Sequence, residues 1–144
     1  MTKIMNLDCD GTFINLYGVK GWLEDIINED TRPYEEAKPL VNLSWFARTI
    51  HELQRKGWEI NIISWTAKGG SKEYNNKVKI AKLNWLKKHI PSVIFNNIHI
   101  VEYGTPKHSL AKGILFDDEK YNRNVWEGIA FDEKELIKKM RAFL

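Results

Sequence analysis

Cysteine is nearly missing from this chain: Cys9 is the single one in 144 residues. No internal disulfide can form, and a reducing compartment, the cytoplasm, is the expectation. Long apolar runs are missing too. Nothing approaches the roughly 18 consecutive apolar residues of a membrane span, and the first residues lack the basic-then-apolar pattern of a secretory signal, so no membrane partner is expected. Charge of one sign is not in large excess. The 22 Lys and Arg against 19 Asp and Glu leave a net +3, too mild to imply a general nucleic-acid or membrane partner. Histidine is sparse, and His51, His89, His99 and His108 show no ligand spacing, which argues against a histidine-built metal centre. There is no internal repeat or low-complexity segment.

What is present suits a packed globule. The length fits one domain, 1–144, burying about two thirds of the chain's surface, and six Trp with five Tyr supply large core side chains. Lys3 to Leu7 alternates polar and apolar residues and reads as a strand that delivers Asp8 and Asp10 before Gly11 and Thr12 break the pattern. The stretch 14–42 is the least regular, punctuated by Gly18, Gly21, Pro33 and Pro39, with a short helix expected over Gly21 to Asn28; it has the length of a small flap. Leu43, Phe46, Ala47, Ile50 and Leu53 form one apolar stripe, so a helix is expected from Leu43 to Lys56, stopped by Gly57. Trp58 to Ile63 reads as a central strand tipped by Ser64, Trp65 and Thr66. A helix from Glu73 to His89 follows. Further strands are expected at Ile98 to Val101, Gly113 to Phe116 and Gly128 to Phe131, and a last helix from Glu133 to Phe143.

Strands alternating with helices imply an α/β fold with a parallel, Rossmann-like sheet flanked by helices. Such a sheet brings the carboxyl ends of its strands to one edge. Asp8 and Asp10, Ser64 and Thr66, and Asp117 and Asp118 can therefore converge, with Lys107 in a Gly-Thr-Pro-Lys turn ten residues before Asp117. Paired carboxylates repel unless a cation relieves them, and Mg²⁺ suits oxygen ligands best. Carboxylates for a metal, with a hydroxyl and an ammonium for a tetrahedral dianion, fit phosphoryl transfer.

Asp-x-Asp-Gly-Thr after a strand, Ser64 at the end of the next, Lys107, and Asp117-Asp118 after a further apolar strand resemble, in that order, the four motifs of the haloacid dehalogenase (HAD) superfamily. The segments Ala81 to His89, Ile98 to Val101, Thr105 to Lys107 and Gly113 to Asp118 are similar to its 5'(3')-deoxyribonucleotidase branch. The resemblance implies a HAD-type fold and a Mg²⁺-dependent phosphatase working through an aspartyl-phosphate. It implies Asp8 as nucleophile, and Asp10 as acid and base with its backbone carbonyl on the metal. Ser64, the backbone N–H of Trp65, and Lys107 are implied as phosphate ligands, and Asp118 as a direct metal ligand, with Asp117 bonding through water or to Lys107. The implied substrate is a small phosphate monoester, a nucleoside monophosphate.

The nucleotidases carry a larger helical cap where this chain has only 14–42. An open site also admits a phosphatase of nucleic-acid termini or another macromolecule; from another class, the fold serves as a non-catalytic binding module. Tyr17, Trp22 and Tyr34 are candidate substrate contacts. Cys9 is expected to be packed. Thr66 reads as a loop cap; Lys82 is the rival of Lys107 for the phosphate-neutralising lysine, but it falls inside the apolar arc of its helix and reads as a snorkelling stem. The seven lysines from Lys68 to Lys88 read as a solvated face, or as a track for a polyanion.

Overall fold

A computed structural model describes residues 2–144. Its centre is a five-stranded sheet of β1 (Ile4–Leu7), β4 (Glu59–Trp65), β5 (Asn97–Val101), β6 (Ile114–Phe116) and β7 (Ala130–Phe131). The strand order is β5-β4-β1-β6-β7 and every pairing is parallel. Between β1 and β4 come the short strand β2 (Ile14–Asn15), helices α1 (Trp22–Ile27) and α2 (Arg32–Glu36), the short strand β3 (Lys38–Pro39), and α3 (Leu43–Arg55). Helix α4 (Lys72–His89) links β4 to β5, α5 (Lys120–Val125) links β6 to β7, and α6 (Leu136–Ala142) ends the chain. The fold is α/β, with a parallel sheet flanked by helices, as the alternation of patterns implies.

The hydrophobic pattern decides where the helices lie. Met5, Leu7, Ile60 and Ile62 project from one sheet face into a cluster with Phe46, Ile50 and Leu53 of α3, Trp85 and Leu86 of α4, and Leu136 and Met140 of α6. On the other face Ile63, Leu115 and Trp126 form a smaller cluster, backed by Leu110 and Ala111. Asn42 caps α3 by accepting from the Trp45 amide, and Ser71 caps α4 by accepting from Tyr74, each supplying a partner for an otherwise orphaned helix N–H.

A polar ladder crosses this sheet. Asn97 Nδ2 donates to Asn61 Oδ1, Asn61 Nδ2 donates to Asn6 Oδ1 at 3.0 Å, and Asn6 Nδ2 donates to the carbonyls of Lys112 and Ile114. Asn6 and Asn61 are buried and directly opposite one another in the β1–β4 pairing. A slip of one residue would orphan the amides, so the ladder fixes the register that also aligns the strand tips.

Short elements are where the sequence reading falls short. The β2–β3 pair is two residues per strand, and α2 and α5 have five and six residues, too few for a period to show. Helix α1 runs as expected, but Leu23 and Ile27 are exposed rather than buried in a core. β4 continues through Ser64 and Trp65, which sit on the strand and not after it. The terminal helix is split, with a 3₁₀ turn at Glu133–Glu135 ahead of α6.

Segment 14–42 lies against α4. Glu29 accepts from both the amide and the hydroxyl of Ser71, Tyr74 OH donates to the Asp30 carbonyl, and Trp85 Nε1 donates to the Ala37 carbonyl at 2.7 Å. Replacing Asn61 with Val should lower unfolding stability by about 1–3 kcal/mol, because buried Asn6 Oδ1 loses its donor. A urea titration with an unchanged slope checks it.

Candidate functional site

In this strand order the chain leaves β1 toward β4 and β5 and later returns to its other side for β6, which makes the tip of β1 the topological switch point where open α/β sheets bind ligands. Leu7 pairs with Phe116, and the Asp8 amide donates to the Phe116 carbonyl at 2.9 Å. Asp8 and Asp117 are therefore delivered side by side, one step past the pair. Gly11 turns the chain away with φ +79°, and a Cβ there would collide with the Asp118 carboxylate, so glycine serves both the turn and the close approach.

One oxygen each of Asp8, Asp117 and Asp118 lies within 4.8 Å of the others. Lys107 Nζ bridges two of them, at 3.0 Å from Asp8 Oδ1 and 2.7 Å from Asp117 Oδ2. Thr12 donates to Asp8 Oδ2, and Asn122 and the Glu119 amide donate to Asp117. Asp118 Oδ1 is buried with no hydrogen-bond partner among the described residues. One ammonium cannot balance three carboxylates. Burial first, then the Asp8 charge, push both Asp117 and Asp118 above the usual carboxylate range. For Lys107 burial opposes the charge, yet Asp8 and Asp117 together raise it, so it stays an ammonium. A surplus of negative charge and an orphaned carboxylate oxygen are what a divalent cation would relieve, so this donor set fits Mg²⁺.

Asp10 stands apart from that trio. Its Oδ2 receives a 2.6 Å ion pair from Lys82 Nζ, which also donates to Ser64 Oγ and to the Trp65 carbonyl, both at 2.7 Å. Here the sequence reading needs correction. Lys82 does not snorkel: it is 2% exposed, because Val78 and Ala81 on the same arc of α4 pack with Leu16, Tyr34 and Ala67 and leave the ammonium no route to water. The remaining lysines of the 68–88 run are exposed, as a solvated face should be. Burial raises the pKa of Asp10, opposed by the Lys82 charge.

Thr66 is a second correction. Its hydroxyl is buried without a partner among the described residues, and Ser71 is the residue that caps α4. Cys9 is fully buried, and burial pushes its thiol up to about 12, consistent with packing rather than reactivity. The histidines stay out of the carboxylate group, with His51 bonded to the Ser92 carbonyl and His89 stacked on Trp85 at 4.2 Å.

These groups open on a cavity of about 640 Å³ lined by Asp8, Asp10, Ser64, Trp65, Thr66, Lys107 and Asp118 at its floor. Its walls include Tyr17, Trp22, Leu23, Ile26 and Tyr34 from segment 14–42 and Tyr103 from the loop after β5. Tyr17 meets Trp22 edge-on at 4.9 Å, and Trp65 meets Tyr103 at 4.7 Å. Trp65 also steadies the Lys107 turn by donating Nε1 to the Thr105 carbonyl at 2.8 Å. The three aromatic residues singled out in the sequence thus share the cavity with the acids. Sequence reasoning missed Thr12, Asn122 and Tyr103, ordinary residue types whose roles depend on contacts across the fold. A shallower groove of about 410 Å³ between α2 and α4 contains none of the acids, Ser64 or Lys107.

No family model matches this chain, and neither the curated proteins nor the solved structures contain a significant match.

Gly11→Ala should displace Asp118 and weaken binding of Mn²⁺, used as a probe ion, by about tenfold or more, as supporting groups of metal sites do. Isothermal titration of wild type and variant measures it, and equal affinities would remove Asp118 from the metal set.

Proposed function

We propose that this protein is a HAD-type phosphoric monoester hydrolase that works through an aspartyl-phosphate on Asp8. The observation carrying the proposal is the Asp8–Asp117–Asp118 trio at the switch point of the sheet, with Lys107 bridging Asp8 and Asp117. Held by Asp8, Asp118 and the backbone carbonyl of Asp10, Mg²⁺ would supply the positive charge that lets a carboxylate meet a phosphate dianion.

The chain's own residues account for the rest. Lys107 uses two of its three N–H groups on Asp8 and Asp117, which leaves one for a phosphoryl oxygen. Ser64 and the amide of Trp65 supply further donors. Asp8 attacks phosphorus as the ester P–O bond breaks, and the leaving oxygen takes a proton from Asp10. In the second half Asp10 takes the proton of the attacking water, the bond between phosphorus and Asp8 breaks, and phosphate leaves.

Cavity size and lining support a small substrate. A volume of about 640 Å³ holds a mononucleotide, and Tyr17, Trp22 and Tyr34 offer the flat apolar surface a base prefers. We therefore place a nucleoside monophosphate first, with segment 14–42 as the small cap over it. Lys72, Lys77 and Lys79 are exposed and lie outside the cavity lining, which ranks a nucleic-acid terminus second.

A phosphate-release screen over nucleotides, sugar phosphates and phosphorylated oligonucleotides, with Mg²⁺ and with chelator, tests the proposal. Asp8→Asn should be inactive and remain folded; retention of a tenth of wild-type activity would overturn the role of Asp8. Lys107→Ala should lose about 2.7–4 kcal/mol of transition-state stabilisation, the range for an oxyanion donor, read from kcat/KM. A preference for the oligonucleotide with a steep salt dependence would move the substrate to nucleic-acid ends.

A further inference from the structure

Two buried lysines bond to residues that line the cavity, and their hydrogen-bond inventories differ. Among the described residues Lys107 donates to Asp8 and Asp117 alone, which leaves one N–H free. Lys82 has none, because its three protons go to Asp10 Oδ2, Ser64 Oγ and the Trp65 carbonyl. Segment 14–42 closes over this knot with the ring of Tyr34, 5.3 Å from Lys82 Nζ. Asp10 Oδ1 has no hydrogen bond among the described residues, and Asp10 lines the cavity. One carboxylate oxygen is anchored by Lys82 and the other is unbonded, on a residue that lines the cavity.

We propose that Lys82 is a positioning residue: it holds Asp10 with Oδ1 toward the leaving-group oxygen and contributes no contact to the phosphate. The inference rests on the phosphatase reading above and goes beyond it by separating the work of the two lysines. In the first step the bond from Asp8 to phosphorus forms and the ester P–O bond breaks; its electron pair goes to the ester oxygen, which takes the proton from Asp10. The carboxylate left on Asp10 remains paired with Lys82. Because Lys82 also donates to Ser64 Oγ, the Ser64 proton must point elsewhere, which directs it away from the lysine. α4 carries the ammonium, β4 carries Ser64 and Trp65, and the turn after β1 carries Asp10, so the knot ties three elements together at the site.

Leaving-group chemistry separates positioning from phosphate binding. An alkyl ester such as a nucleoside 5'-monophosphate needs a proton on its departing oxygen, whereas p-nitrophenolate leaves without one. Lys82→Met should lower kcat/KM on the nucleotide by about 100-fold, the lower end of a general-acid contribution, and on p-nitrophenyl phosphate by less than about fivefold. Lys107→Met should lower both alike. Lys82→Arg keeps the charge and should recover part of the loss on the nucleotide; if the Met variant does not fold, the Arg variant bears the test through the same difference between esters. Binding gives a readout that needs no turnover. By calorimetry inorganic phosphate should bind wild type and Lys82→Met within about threefold, and Lys107→Met at least tenfold more weakly, as expected when a charge-assisted donor is lost. Equal losses of Lys82→Met on both esters, no loss on either, or weakened phosphate binding would overturn the positioning role. Wild-type inactivity on both esters would instead remove the phosphatase reading, and this inference with it.

Discussion

Electrostatic repulsion among carboxylates at the tip of β1 is the constraint around which the site is built. Asp8, Asp117 and Asp118 crowd within a metal ion's reach, Asp10 lies two residues beyond Asp8, and two lysines enter the same small volume from different directions. Each lysine is almost completely buried, so neither is a solvated counterion that could be exchanged for another. A buried ammonium is tolerated only when carboxylates and carbonyls complete its coordination, and removing one partner leaves the other charge stranded. The acids and the lysines therefore require one another, and the fold must bring α4 and the 102–113 connection to the strand tips for either set to persist.

The scaffold meets that requirement by polar and apolar devices together. In-register pairing of β1 with β4 and β6 sets the heights of Asp8, Ser64 and Asp117, and the Asn6–Asn61–Asn97 ladder holds the register from inside the sheet. The apolar arc of α4 seats Val78, Ala81 and Trp85, and that seating carries Lys82 inward with them. Segment 14–42 is fastened along the same helix through Glu29, Asp30 and Ala37. One helix thus supports both the polar knot beneath the cavity and the aromatic wall above it.

Much of this was legible in the residues. Asp8, Asp10, Ser64, Asp117 and Asp118 stand at or just past strand ends, and a parallel sheet has only one edge at which such ends meet; Lys107 comes to that edge from the turn between β5 and β6. Strand and helix periods were long enough to read for α3, α4 and β4. What was not legible lies in short or irregular chain, where two-residue strands and single-turn helices leave no period to detect.

Lys82 marks the boundary between the two kinds of information. The sequence by itself determined that a lysine falls within the apolar arc of a helix, because helical spacing is a local property. A lysine in that position has two outcomes, a stem that reaches back to water or an ammonium that finds anions inside, and spacing is the same for both. Only the tertiary structure decided between them, because only the packing of α4 on β4 and of Tyr34 over both closes the route to solvent and sets Asp10, Ser64 and the Trp65 carbonyl within 2.6–2.7 Å of the nitrogen.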